Sequence, residues 1–260
     1  MTTDRFSSDT GKPVSNPALR LFCLPYAGGN VSIFRRWQRE MPENVEVCPI
    51  ELPGRGLRSN EPLNTRMEPL VEHLGRELLP LLDRPFALFG HSMGAILSFE
   101  LARYVRNRAN LSPAQLFVSG WRSPELMDER RDYDLPTDVF IAMLRRMNGT
   151  PDEILENPEA LEFLLPIVRA DFEAAQTYTY REDLTLSCPI KAFAGIKDLG
   201  TPPEMMKSWK NHTTSSFSIT ILPGDHFFVT QSEATLTRII GHHLARLLDS
   251  KGSIKQVSLA

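Results

Sequence analysis

Along the chain, short apolar runs alternate with longer segments in which apolar residues recur every three or four positions. Residues 20–25 (RLFCLP), 45–50 (VEVCPI), 86–90 (FALFG), 115–120 (QLFVSG), 190–195 (IKAFAG) and 217–222 (FSITIL) read as strands. Several are apolar at nearly every position, the pattern of parallel strands covered on both faces. Helical periodicity marks residues 33–41, 67–82, 95–105, 203–212 and 233–248 between them. This alternation predicts βαβ units and a mostly parallel central sheet flanked by helices, an α/β fold. Residues 1–17, aperiodic and rich in Ser, Thr, Pro and Asp, read as a loose tail, and 251–260 as a second one.

One stretch breaks the alternation. Between residues 135 and 180 there is no strand pattern, only helical patterning interrupted by Asn148-Gly149-Thr150-Pro151 and Asn157-Pro158. Phe140, Met143, Leu144 and Met147 form one apolar stripe at i, i+3, i+4 and i+7, and Leu161, Leu164, Leu165 and Val168 form another. Helices inserted late between sheet strands suggest a lid over the strand ends, where open α/β sheets bind their ligands. Ordinary packing on the sheet explains the stripes equally well. With the lid, the division is a core of 18–130, an insertion of 131–183 and a second core part of 184–250. The first stripe then becomes the candidate wall of a substrate chamber, with Met143 and Met147 adaptable in shape.

Gly90-His91-Ser92-Met93-Gly94 follows an apolar strand and opens a helical run. That is the context a nucleophile elbow requires, and it predicts an α/β-hydrolase arrangement. A serine raised on a sharp turn leaves no room for side chains two residues to either side, hence glycine at both places. The hydroxyl of Ser92 needs a base. His73, His212, His242 and His243 fall in helical patterns, and His91 is too close along the chain to face Ser92. His226, in Gly224-Asp225-His226-Phe227-Phe228 after the last strand, fits the order nucleophile, acid, histidine. The orienting acid is Asp198, just past the strand 190–195, with Asp128, Asp183 and Asp225 as alternatives. Backbone N–H groups of Met93 and of Ala27, in Leu24-Pro25-Tyr26-Ala27-Gly28-Gly29, are the candidate oxyanion donors, unless the glycines merely make a tight turn.

Composition narrows the setting. The chain of 260 residues is 42% hydrophobic and 23% charged, as a folded globular protein is, with a net charge of −3. That balance disfavours nucleic acid or an anionic membrane as partner. No apolar run approaches the roughly 20 residues of a membrane span, and the polar N-terminal residues lack a signal-peptide core. Cys23, Cys48 and Cys188 are odd in number and unpaired in spacing, so a reducing cytoplasm is the expected compartment. Cys23 and Cys48 read as small strand hydrophobes. No residue cluster calls for a metal or an organic cofactor.

Taken together, Leu24–Gly29, Gly90–Gly94, Asp198 and the GDHFF segment make the chain resemble the type II thioesterases, stand-alone α/β-hydrolase enzymes that accompany polyketide synthases and non-ribosomal peptide synthetases. The resemblance spans about residues 19–248. It takes in Leu52-Pro53-Gly54-Arg55-Gly56 with Arg58, Ser119-Gly120-Trp121-Arg122-Ser123-Pro124, the run from Leu164 to Asp171, and Trp209. The chain departs from the family pattern at Tyr26, where histidine is common, and at Asp198-Leu199-Gly200, where Asp-Pro is usual. The resemblance implies hydrolysis of acyl thioesters on the phosphopantetheine arm of an acyl- or peptidyl-carrier protein, removing aberrant or stalled acyl groups, without a cofactor and by a monomer. A chain-terminating thioesterase of fatty acid synthesis and a carboxylester hydrolase are the alternatives. Carrier proteins are typically acidic, so Arg130, Arg131, Arg145 and Arg146 are candidates for steering one, against the plainer reading of solvated helix faces.

Overall fold

A computed structural model of the chain describes residues 14–126 and 130–257. Most of the 1–17 tail and the whole of the Asp128 alternative lie outside the described residues. The strands are β1 (Leu19–Leu24), β2 (Val45–Pro49), β3 (Phe86–His91), β4 (Gln115–Ser119), β5 (Ile190–Gly195) and β6 (Phe217–Leu222). They form one sheet in the order β2-β1-β3-β4-β5-β6, every neighbouring pair parallel. The helices are α1 (Met67–Leu78), α2 (Met93–Ala109), α3 (Thr137–Met147), α4 (Asp152–Leu155), α5 (Pro158–Gln176), α6 (Pro203–Met206), α7 (Phe228–Gln231) and α8 (Glu233–Val257).

Side chains of successive strand residues point to opposite faces, and both faces are covered. Phe22, Leu24, Leu88 and Val118 join Leu70 and Leu74 of α1 and Ile96 and Leu97 of α2 in one core layer. Leu21, Cys23, Phe89, Phe117 and Phe193 meet Leu236, Ile240 and Leu244 of α8 on the other side. The register keeps Cys23 and Cys48 in different layers, and all three cysteines are buried and free. The chain passes from β1 out to β2 and then back across to β3. Adjacent β1 and β3 thus send their following loops in opposite directions, and a crevice opens at their carboxyl ends.

Departures from the periodicity reading include three with a plain physical cause. Residues 31–40 form two short 3₁₀ turns, Val31–Phe34 and Trp37–Glu40, because the buried Phe34 and Trp37 sit three apart, the repeat of a 3₁₀ turn. After α6 the chain likewise tightens into 3₁₀ over Lys207–His212, burying Met206, Trp209 and His212 at every third position. The last helix continues to Val257, past residue 250 where the sequence pattern ends it. Its apolar stripe stops near Leu248, but no proline follows to interrupt the backbone hydrogen bonds.

Candidate active site

The turn from β3 into α2 holds Ser92 at φ 55° and ψ −122°, a conformation side chains rarely adopt. Tight packing around it imposes the glycines. A Cβ on Gly90 would stand 1.8 Å from the Gly94 carbonyl oxygen, and one on Gly94 would stand 2.4 Å from that of Leu24. Met93 is the first residue of α2, so its N–H has no carbonyl one turn earlier in the helix to bond.

Beyond β6, the loop before α7 brings His226 to the elbow. Ser92 Oγ lies 3.0 Å from His226 Nε2, and His226 Nδ1 lies 2.8 Å from Asp198 Oδ2. A carboxylate can only accept, so Nδ1 carries the hydrogen and Nε2 is the acceptor facing the serine hydroxyl. The loop after β5 buries Asp198, and its Oδ1 accepts the backbone N–H groups of Gly200 at 3.0 Å and Thr201 at 2.9 Å. The two described alternatives, Asp225 and Asp183, are engaged elsewhere. Asp225 accepts the N–H of Phe227 and the amide of Gln231, each at 2.8 Å. Burial works to raise its pKa, but these bonds and that from Asn148 hold it below the ordinary value. Asp183 pairs with Arg106 at 2.6 Å.

His91 has a part that sequence reasoning missed. Its Nε2 donates to the His226 backbone carbonyl at 2.9 Å, while Nδ1 accepts from the Ser119 hydroxyl at 2.9 Å. The ring thereby pins the loop that carries His226, from a position 135 residues earlier. Desolvation, reinforced by neighbouring His226, holds its pKa well below the usual imidazole value, against the bond to the His226 carbonyl. An unfolded histidine takes up a proton near pH 6.5, which folded His91 resists. Its contribution to stability is therefore complete above that pH and declines as pH falls, by up to about 1.4 kcal/mol per pH unit. Urea unfolding measured between about pH 5 and 7 is expected to show this loss. His91→Gln, which keeps a donor but does not titrate, should flatten the slope by roughly one proton. An unaltered slope would refute the linkage.

Ala27 lies in the turn after β1. The Gly29 N–H donates to the Tyr26 carbonyl at 2.8 Å, and Gly28 has φ +77°, the signature of a type II turn. Tyr26 itself packs edge-on against Phe227, with ring centroids 5.0 Å apart. A cavity of about 860 Å³ extends from Ser92, Met93 and Ala27 up to the helices between β4 and β5. Met143, Leu144 and Met147 of α3 line it, together with Leu164, Val168 and Phe172 of α5. Phe140, expected beside them, is instead inside the helical segment. Its ring meets Phe172 edge-on at 5.5 Å and lies beneath the Arg169 guanidinium at 4.4 Å, so it braces α3 on α5 and does not line the cavity. Arg130, Arg146 and Lys197 border the opening, whereas Arg145 pairs with Asp152 at 3.2 Å. Among the described residues no helix is long and apolar enough to cross a membrane, and no group of three His, Cys, Asp or Glu side chains is placed to hold a metal ion.

A family model described as "Thioesterase domain" matches residues 19–247. The chain belongs to the thioesterase family. Gramicidin S biosynthesis protein GrsT of Aneurinibacillus migulanus is 43% identical over 234 residues, 90% of this thioesterase and 91% of GrsT. RedJ, a thioesterase from the prodiginine pathway of Streptomyces coelicolor, superposes with a TM-score of 0.84 at 39% identity, covering 89% of this chain and 88% of RedJ. YbtT, a type II thioesterase from the yersiniabactin NRPS/PKS pathway, superposes with a TM-score of 0.81 at 29% identity over 92% and 97% of the two chains. These likenesses set the thioesterase in the type II branch, with the α/β-hydrolase fold.

A second buried group of the thioesterase escaped the sequence reading, although its members lie in segments that carried the resemblance. Arg55 Nη1 and Nη2 bond Asp171 Oδ2 and Oδ1 at 2.6 and 2.7 Å, with both side chains almost wholly buried. The signal was present in α5. Asp171 continues the apolar stripe of Leu164 and Val168, and a carboxylate on a buried helix face demands a partner.

Proposed function

We propose that this thioesterase uses Ser92, His226 and Asp198 to hydrolyse acyl thioesters borne on the phosphopantetheine arm of acyl- or peptidyl-carrier proteins, clearing aberrant or stalled acyl groups from a peptide or polyketide assembly line. The observation that carries the reading is the unbroken chain of hydrogen bonds from the Ser92 hydroxyl through His226 to Asp198, opening on a largely apolar cavity. His226 takes the hydroxyl proton as Ser92 Oγ attacks the thioester carbonyl. The N–H groups of Met93 and Ala27 hold the resulting oxyanion. Collapse expels the pantetheine thiolate, a good leaving group that needs less acid assistance than an amine; it takes up the proton held by His226, whose Nε2 is again a free base. Water, deprotonated by His226, then attacks the acyl-Ser92 ester, and as the C–Oγ bond breaks the proton returns from His226 to Ser92 Oγ and the acid is freed.

Helices α3 to α5 act in this scheme as the lid, and their apolar side chains receive the acyl chain. Arg130, Arg146 and Lys197 at the opening face the side from which a carrier would deliver its arm. The test compares kcat/KM for a carrier-bound acyl thioester and for an oxygen ester of the same acid. The thioester is expected to be the better substrate. Preference for the oxygen ester would make the protein a carboxylester hydrolase that shares the same machinery.

A further inference from the structure

We propose that Asp171 and Arg55 are positioning residues for hydrolysis, a buried clamp that ties the acyl-chamber helix α5 to the oxyanion turn and holds that turn in its donating form. The inference rests on the proposed role of Ser92 and adds two residues that touch no reacting atom.

The clamp acts on successive peptide units. In the turn from Tyr26 to Gly29, the Tyr26 carbonyl and the Ala27 N–H are opposite ends of one planar peptide. The Gly29 N–H holds that carbonyl at 2.8 Å, which aims the Ala27 N–H the other way. The next peptide, between Ala27 and Gly28, is the one whose orientation distinguishes type II from type I turns. Its N–H donates to Asp171 Oδ2 at 2.7 Å. The peptide after Gly29 is held through its carbonyl, which accepts from Arg55 Nη1 at 3.1 Å. If the Ala27–Gly28 peptide flipped, it would present its carbonyl oxygen to the Asp171 carboxylate in a buried site, a repulsive contact. Arg55 fixes that carboxylate through both oxygens, a pairing across 116 residues of sequence.

Packing supports the same reading independently. A Cβ on Gly28 would lie 2.6 Å from Val168 Cγ2, so α5 rests directly on the turn one helical turn before Asp171. Leu164, Val168 and Phe172 of the same helix line the cavity. The wall that would receive the acyl chain and the carboxylate that sets the oxyanion turn thus belong to one helix. A salt bridge with a purely structural task would not need to engage the backbone on both sides of Gly28.

Removing one partner alone would strand a buried charge, whereas replacing both by apolar groups is commonly tolerated. The decisive variant is therefore Arg55→Met/Asp171→Leu, with Asp171→Asn beside it, each compared with the parent protein on an acyl-carrier thioester. Active sites are counted by the endpoint of fluorophosphonate labelling at Ser92, and kcat is expressed per labelled site. The expected result is a full count of sites with kcat lowered on the order of 10²-fold in the double variant and tenfold in Asp171→Asn, the scale of a displaced oxyanion donor. KM should stay within about threefold, and the pH dependence of kcat/KM should superimpose on the parent's. A merely structural role would lower the site count and leave kcat per site unchanged. That outcome, or kcat within about twofold of the parent in the folded variants, overturns the clamp. If the double variant does not fold, Asp171→Asn decides alone. Failure of the parent protein itself to hydrolyse the thioester would instead strike at the proposed function.

Discussion

Replacing Ser92 with alanine is expected to lower kcat for an acyl-carrier thioester by on the order of 10⁴-fold or more. The change deletes one oxygen whose hydrogen-bond partner is His226, and alanine accepts the same strained turn no less well than serine. Fold and carrier binding should persist, so the loss falls on kcat and not on KM. The residual rate measures what the oxyanion donors and substrate binding achieve without a nucleophile. Stopped single-turnover assays with labelled acyl-carrier, together with the melting temperature of the variant, make the check. Near-normal turnover in a folded Ser92→Ala protein would end the nucleophile assignment.

Asp198→Asn should cost nearly as much, about 10⁴-fold in kcat, for a reason visible in the hydrogen bonds around it. Oδ1 of Asp198 accepts two backbone N–H groups, from Gly200 and Thr201. An asparagine there must keep its oxygen on those donors, which turns its NH₂ toward His226 Nδ1. That nitrogen must then accept, and the ring hydrogen moves to Nε2, where it meets the Ser92 hydroxyl as a donor. The base is thus lost while the geometry survives. Because Oδ1 keeps both of its bonds, the melting temperature should change little. Fluorophosphonate labelling of Ser92 should slow in parallel with turnover. A variant retaining about a tenth of the parent rate or more would shift the acid role away from Asp198.

What could be read in the sequence depended on how local its cause was. The strands announced themselves because burial on both faces leaves continuous apolar runs, and the elbow because Gly90 and Gly94 have backbone oxygens within 2.4 Å of where a side chain would begin. His226 and Asp198 could be singled out because the order of parallel strands dictates which loops reach the crevice. The 3₁₀ turns at Phe34 and Trp37 and at Trp209 and His212 were misjudged as longer helices. A spacing of three suits both patterns until the opposite face is considered. Phe140 sat on the right stripe but at the end that turns into the helical layer, and periodicity alone does not tell the cavity side from the bracing side. The roles of His91 and of the Arg55–Asp171 pair were not legible. Each acts on backbone groups more than a hundred residues away or on a turn brought near only by the finished sheet.

The contact between Val168 and Gly28 leaves evolution two unequal walls to work with. On the α3 side, the flexible thioether side chains of Met143 and Met147 should be exchangeable to admit longer or bulkier acids with less consequence for the elbow or the turn than a change at Leu144, which is buried in one cluster with Val168. On the α5 side, any enlargement at Val168 presses on the turn that carries Ala27, the proposed donor. Divergence of substrate range within such a scaffold should therefore accumulate on the first wall, while the second drifts slowly.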